Sequence, residues 1–120
     1  RYKLVYLASP YTRMPNLDAA CREACIAAAE LMRAGVSVFS PIAHGHTVAM
    51  LSGLDPLDGP FWVEQFRPVQ AASEALVILK MRGWLESDGI STEIAQAAIL
   101  EQPVYGLDPE TMRLTKWGFG

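Results

Sequence analysis

Ala75-Leu76-Val77-Ile78-Leu79 is a run of five apolar residues between polar flanks. A strand wetted on one side alternates apolar with polar, so an unbroken run predicts a strand covered on both faces, as in a parallel sheet between helices. The run leads into a polar, glycine-bearing loop, Gly83-Trp84-Leu85-Glu86-Ser87-Asp88-Gly89. An Ala-rich segment follows, predicted as a helix from about Ser91 to Leu100. In an open parallel sheet, such a strand–loop–helix passage is where ligands bind.

The same alternation extends along the chain. Lys3–Ala8 reads as a first strand, stopped at Ser9-Pro10, with a loop from Tyr11 to Asn16. A helix is predicted from Asn16 or Leu17 to about Ala34. Ala20, Ala24, Ala27, Ala28, Leu31 and Met32 form its apolar stripe, and Gly35 ends it. Val36–Ser40 reads as a second strand, closed by Pro41. A short helix around His46–Leu51 and a turn-rich stretch, 52–60, come next; the latter is where a long active-site loop is expected. Phe61–Ser73 reads as a helix with a kink or late start at Pro68. Pro103-Val104-Tyr105 is a fourth short strand. Beyond Leu107 a tail is expected, with a helix start at Asp108-Pro109-Glu110-Thr111 and an end, Lys116–Gly120, exposed or docked on a neighbour.

Strands alternating with helices predict a three-layer α/β/α fold, flavodoxin-like or Rossmann-like, with a parallel sheet of four to five strands. At 120 residues the chain is expected to form one domain, residues 1–120. Right-handed crossovers place the strand C-termini on one edge, so Ser9–Arg13, Ser40–His46 and Arg82–Thr92 converge there.

A net charge of −3 argues against a nucleic-acid partner, and no apolar run approaches the length of a membrane span. The N-terminus does not read as a signal peptide, and Arg1 in first place implies a removed leading residue. Cys21 and Cys25, four residues apart on one helix, read as reduced residues packed in a core or helix interface. A cytoplasmic location is expected on that ground.

Several residues are candidates for chemistry. Glu93 is expected in the first turn of its helix, where free N–H groups and the helix dipole favour a negative charge. It either stabilises the helix or is a carboxylate kept ionised and aimed into a cleft as a nucleophile at a sugar carbon. Ser87-Asp88-Gly89 reads either as an ordinary turn or as an anion cradle. Ser9-Pro10-Tyr11 reads as a strand terminator, or as the place where the Tyr6 or Tyr11 hydroxyl orients a sugar or the Glu93 carboxylate. Arg13 is either a solvated loop residue or a phosphate ligand. His44-Gly45-His46 falls short of a metal site, although one histidine, His44, is expected at the ligand. Trp62 and Trp84 read as packing residues, with Trp84 the candidate for stacking on a flat base. No metal and no cofactor are expected.

Together these residues resemble the nucleoside 2-deoxyribosyltransferase-like group over most of the chain up to about Tyr105. The resemblance rests on Tyr6-Leu7-Ala8-Ser9-Pro10-Tyr11, on the strand Ala75–Leu79, and on Ser87-x-Gly89-x-x-x-Glu93-Ile94-x-x-Ala97. Ser40-Pro41-Ile42, the histidine after it and Gly83-Trp84 are similar to a bacterial and phage branch of unassigned function, related to 2'-deoxynucleoside 5'-monophosphate N-hydrolases. The resemblance implies chemistry on the N-glycosidic bond of (deoxy)nucleosides or their 5'-monophosphates, by hydrolysis or transfer through a covalent glycosyl-Glu93 intermediate. Ser87 tilts the expectation towards a phosphorylated substrate, because the group's transferases on free nucleosides tend to carry aspartate there. The group also has an aspartate upstream of the third strand that protonates the leaving base. Between Trp62 and Ser73 this chain has no aspartate, so Glu64 takes the role, Asp55 or Asp58 reaches in, or the activity is weak or lost. The resemblance and the apolar tail Trp117-Gly118-Phe119 imply a homodimer or higher homo-oligomer.

Two other readings remain open at the level of sequence. One is a non-catalytic module that binds or senses a nucleotide in the same cleft. The other, a flavin carrier, is disfavoured because Tyr11–Asn16 holds no glycine for a phosphate loop.

Overall fold

The computed structural model describes residues 2–117. Strand β1 (Val5–Ala8) is followed by α1 (Leu17–Arg33), β2 (Val38–Phe39), α2 (Pro41–Ser52), α3 (Gly59–Ala72), β3 (Ala75–Leu79), a 3-10 turn (Trp84–Glu86), α4 (Asp88–Leu100), β4 (Val104–Leu107) and β5 (Leu114–Trp117). The sheet runs β2-β1-β3-β4-β5. Its first four strands are parallel, and β5 pairs antiparallel with β4.

Period-two geometry divides the core into two layers. Val5 and Leu7 of β1 and Ala75, Val77 and Leu79 of β3 pack on Ala27, Ala28 and Leu31 of α1. Tyr6, Ala8, Leu76 and Ile78 face the other way, onto Ile90 and Ala97 of α4, with Phe66 of α3 alongside. The result is the expected three-layer α/β/α sandwich. No helix is long and apolar enough to cross a membrane among the described residues.

The boundaries of β2, α2, α3 and α4 differ from those expected, each for a local reason. β2 is only two residues long because Ser40 leaves it to cap α2, its hydroxyl accepting from Ala43 N–H at 3.1 Å, and Pro41 opens the helix. The helix expected at His46–Leu51 therefore begins at Pro41. Asp58 caps α3, and Pro68 sits inside that helix without ending it. Ser87 caps α4 by accepting from Ile90 N–H at 3.2 Å, so α4 begins at Asp88 rather than Ser91.

The tail is a hairpin, not a helix start. The Asp108 carboxylate accepts from Glu110 N–H (2.8 Å) and Thr111 N–H (3.2 Å), which closes a turn and returns the chain as β5. Trp117 packs edge-to-face on Trp84 of its own chain at 6.1 Å. The Gly118 and Phe119 parts of the expected docking tail lie outside the described residues. Of the two free cysteines, Cys21 is buried as expected, with its thiol pushed up to about 11 mainly by burial. Cys25 is exposed, because α1 turns that position outward.

Candidate active site

The strand order reverses between β1 and β3. The chain leaves β1 for β2 on one side, and leaves β3 for β4 on the other. Loops diverging from such a point leave a crevice beyond the strand ends. Here it is a cleft of about 800 Å³, walled by the segments after β1, β2 and β3 and by one face of α3.

Tyr6, Ser9, Tyr11, Arg13, Ser87, Asp88, Gly89, Glu93 and Glu64 all line it. Three residues expected there do not. Pro10 is buried with its side chain off the cleft, because neighbours in an extended chain point to opposite sides and Ser9 and Tyr11 take the cleft side. His44 is exposed, its ring against Phe39 and Phe66. Trp84 is held in the core layer of Tyr6 and Ile90, between Trp117 and the Lys80 ammonium, 5.6 Å over its ring.

His46 and Trp62 stand at the cleft in place of His44 and Trp84. With α2 starting at Pro41, residues 41, 42, 45 and 46 share the cleft face and 44 falls off it. Trp62 stacks on Phe66 at 5.8 Å and 17°, and its indole N–H donates to the Asp55 carbonyl at 2.9 Å. The pair gives α3 a flat aromatic wall.

Because α4 begins early, Glu93 sits in its second turn, beyond the reach of the first-turn N–H groups. Its carboxyl is walled by protein on most sides and open towards the cleft. Burial pushes its pKa up to about 7, although the Tyr6 hydroxyl turned towards it pulls the value back. Burial thus works against the ionisation expected at neutral pH, because lost hydration outweighs the single donor. Tyr6, 2% exposed, is held strongly protonated by burial and by that carboxylate, so it acts as a donor.

Gln70 fixes the backbone at this point. Its amide donates to the Glu93 carbonyl at 2.8 Å and to the Gln102 side chain at 3.2 Å, and Gln102 donates in turn to the Gln70 and Ser73 carbonyls. Sequence reading passed over Gln70, and only its place on the inward stripe of α3 signalled it.

The other acids are engaged elsewhere. Arg67 grips Glu64 at the rim (Nε to Oε1 3.1 Å). Asp55 and Asp58 accept from backbone N–H groups and do not line the cleft. Neither aspartate takes up the alternative of reaching in, because Asp58 caps α3 and Asp55 closes the turn before it. Arg13 forks onto Asp88 at the tip of α4, with bonds of 3.1 and 3.2 Å between exposed partners. Ser9 Oγ is buried at the cleft wall without a hydrogen-bond partner. A Cβ on Gly89 would meet nothing closer than the Ser87 hydroxyl at 3.8 Å, so the chain itself does not require glycine there. Among the described residues no group of three or more His, Cys, Asp or Glu has a metal's donor set.

A family model described as a domain of unknown function (DUF1937) matches residues 3–108. The chain belongs to that family. No curated protein matches it. In this DUF1937 member the matched span runs from just before β1 through β4 and so contains every wall of the cleft.

Proposed function

We propose that the cleft cleaves the N-glycosidic bond of a (deoxy)nucleoside or its 5'-monophosphate, by hydrolysis or transfer, with Glu93 as nucleophile. The observation that carries this reading is the meeting of the Glu93 carboxyl with the Tyr6 hydroxyl on the wall of a cleft at the strand C-termini. A carboxylate relieved of most of its hydration is a better nucleophile, and a neutral phenol beside it holds the attacking oxygen in place. The Trp62–Phe66 wall suits a flat base, and the Ser9 hydroxyl is free to bond a sugar hydroxyl. The first N–H groups of α4, at Asp88 and Gly89, suit a phosphate, with Arg13 across from them. The likeness to the nucleoside 2-deoxyribosyltransferase-like group points the same way.

The test is base release from a panel of deoxynucleosides and their monophosphates, followed by chromatography, with wild type beside Glu93→Gln. Release by wild type and its loss by at least about 10³-fold in the variant is expected, because the covalent route needs the carboxylate. Equal rates would refute the assignment. A homodimer belongs to the same reading and is read by light scattering at micromolar concentration.

One observation favours a second reading, a binding or sensing module. Among the described residues no carboxylate other than Glu93 is left unpaired at the cleft to protonate a departing base, since Glu64, Asp55, Asp58 and Asp88 are all engaged. In that case a nucleotide raises the melting temperature of Glu93→Gln as much as that of wild type, and no product forms.

A further inference from the structure

Apart from Tyr6 and Glu93, the cleft holds a second chain of polar side chains. The Tyr11 hydroxyl lies 2.6 Å from His46 Nδ1, and His46 Nε2 lies 2.7 Å from Asp18 Oδ1. Tyr11 and His46 are buried and line the cleft, whereas the Asp18 side chain is 85% exposed. Three separate elements meet here: the loop after β1, α2, and the first turn of α1.

The hydrogens in this chain are determined by its acid end. An ionised carboxylate only accepts, so His46 Nε2 carries a proton in either charge state. With a neutral ring, Nδ1 accepts from Tyr11 and ties up the hydroxyl hydrogen. With a charged ring, Nδ1–H donates to the Tyr11 oxygen, and the hydroxyl hydrogen is free to turn into the cleft. Burial and the nearby Cys21 and Asp18 push the Tyr11 phenol up to about 12, so it gives up a proton only if another is handed to it in the same step.

We propose that Tyr11, backed by His46 and Asp18, is the proton donor to the departing base. The proposal rests on the N-glycosidic reading above and supplies the acid that Glu64, Asp55 and Asp58 do not. In the first half-reaction a Glu93 oxygen bonds to the anomeric carbon, and the carbon–nitrogen bond breaks with its electron pair passing to the base. That nitrogen takes the Tyr11 hydrogen while Tyr11 takes the Nδ1 hydrogen of His46. In the second half, water attacks the anomeric carbon of the glycosyl ester. Its proton passes to Tyr11 and the Tyr11 hydrogen to Nδ1, while Glu93 leaves as carboxylate. The cycle closes with imidazolium restored and no outside reagent but water. Tyr11 is the catalytic group, and His46 and Asp18 are positioning residues that load it.

The test compares two leaving groups on the same sugar. One is the natural base of the deoxynucleoside or monophosphate that wild type cleaves fastest, and the other is 4-nitrophenolate, which departs without a proton. Tyr11→Phe and His46→Gln are expected to lose roughly 10²–10⁴ in kcat on the natural base and less than about tenfold on nitrophenolate. Asp18→Asn, at an exposed position, is expected to give the same selective loss, smaller in size. Activity on nitrophenolate shows that each variant is folded. A loss of equal size on both leaving groups, or none on the natural base, overturns the relay while leaving Glu93 in its role. Wild type that releases neither leaving group overturns the N-glycosidic reading, and the relay with it.

Discussion

The raised pKa of Glu93 makes a prediction about stability that requires no substrate. A carboxyl held at about 7 in the folded chain against an ordinary 4.5 ionises at a cost there that it does not meet when unfolded. Below pH 4.5 both states keep the proton and the residue is neutral to folding. As pH rises towards 7 the unfolded chain releases its proton first, so stability drains away and levels off above 7. Each tenfold change in proton affinity is worth about 1.4 kcal/mol, so the full loss is about 3 kcal/mol, an upper bound because one side of the carboxyl faces the open cleft. Glu93→Gln keeps the shape and removes the charge. It should match wild type in urea denaturation at pH 4 and exceed it by up to about 3 kcal/mol at pH 8, or on the order of 10 °C in melting temperature. A variant no more stable at pH 8 than at pH 4, relative to wild type, would show that the carboxyl is hydrated and would remove the basis for treating it as poised. If Glu93 is the nucleophile, kcat/KM on the nitrophenolate substrate, whose departure needs no proton, should also climb as pH rises through about 7, the range in which the carboxylate forms.

Three further substitutions probe the walls of the site. Ser9→Ala removes a buried hydroxyl that has no partner, so it should leave the free protein unchanged or stabilise it by about 1 kcal/mol in chemical denaturation while weakening substrate binding. Gln70→Leu removes the side-chain donor shared by the Glu93 carbonyl and the Gln102 amide oxygen and should cost about 1–3 kcal/mol in the same measurement. Asp88→Asn frees Arg13 and removes a negative charge from the tip of α4; steady-state kinetics should show KM falling for monophosphates and holding for the free nucleosides.

What could be read from sequence follows from how local each signal was. β3 was legible to the residue because all five of its side chains are buried, which leaves no other reading of the run. The convergence of the loops after β1, β2 and β3 on one edge followed from strand direction alone. Helix starts were harder. Asp88-Gly89 looks like a turn, but Gly89 occupies the second helical position, where glycine costs little, and the Ser87 cap carries the start forward. That shift took Glu93 out of the first turn, away from the N–H groups expected to favour its charge, and burial raises its pKa instead. The same kind of error at Pro41 exchanged His46 for His44, since moving a helix start rotates every later residue by about 100° each. Trp84 and Trp62 could not be told apart because both lie near polar loops, and only the tertiary packing of Trp117 on Trp84 separates them. β5 was missed because an aspartate followed by free N–H groups signals a helix start and a hairpin turn alike. The Tyr11–His46–Asp18 chain joins residues up to 35 positions apart and leaves no mark in local pattern.

Acid-quenched mass spectrometry of the protein mixed with deoxynucleosides and their 5'-monophosphates tests the central claim most directly. The account predicts a peptide containing Glu93 that carries one deoxyribosyl group in ester linkage. Base released in full while that peptide stays unmodified through the pre-steady-state phase would contradict it.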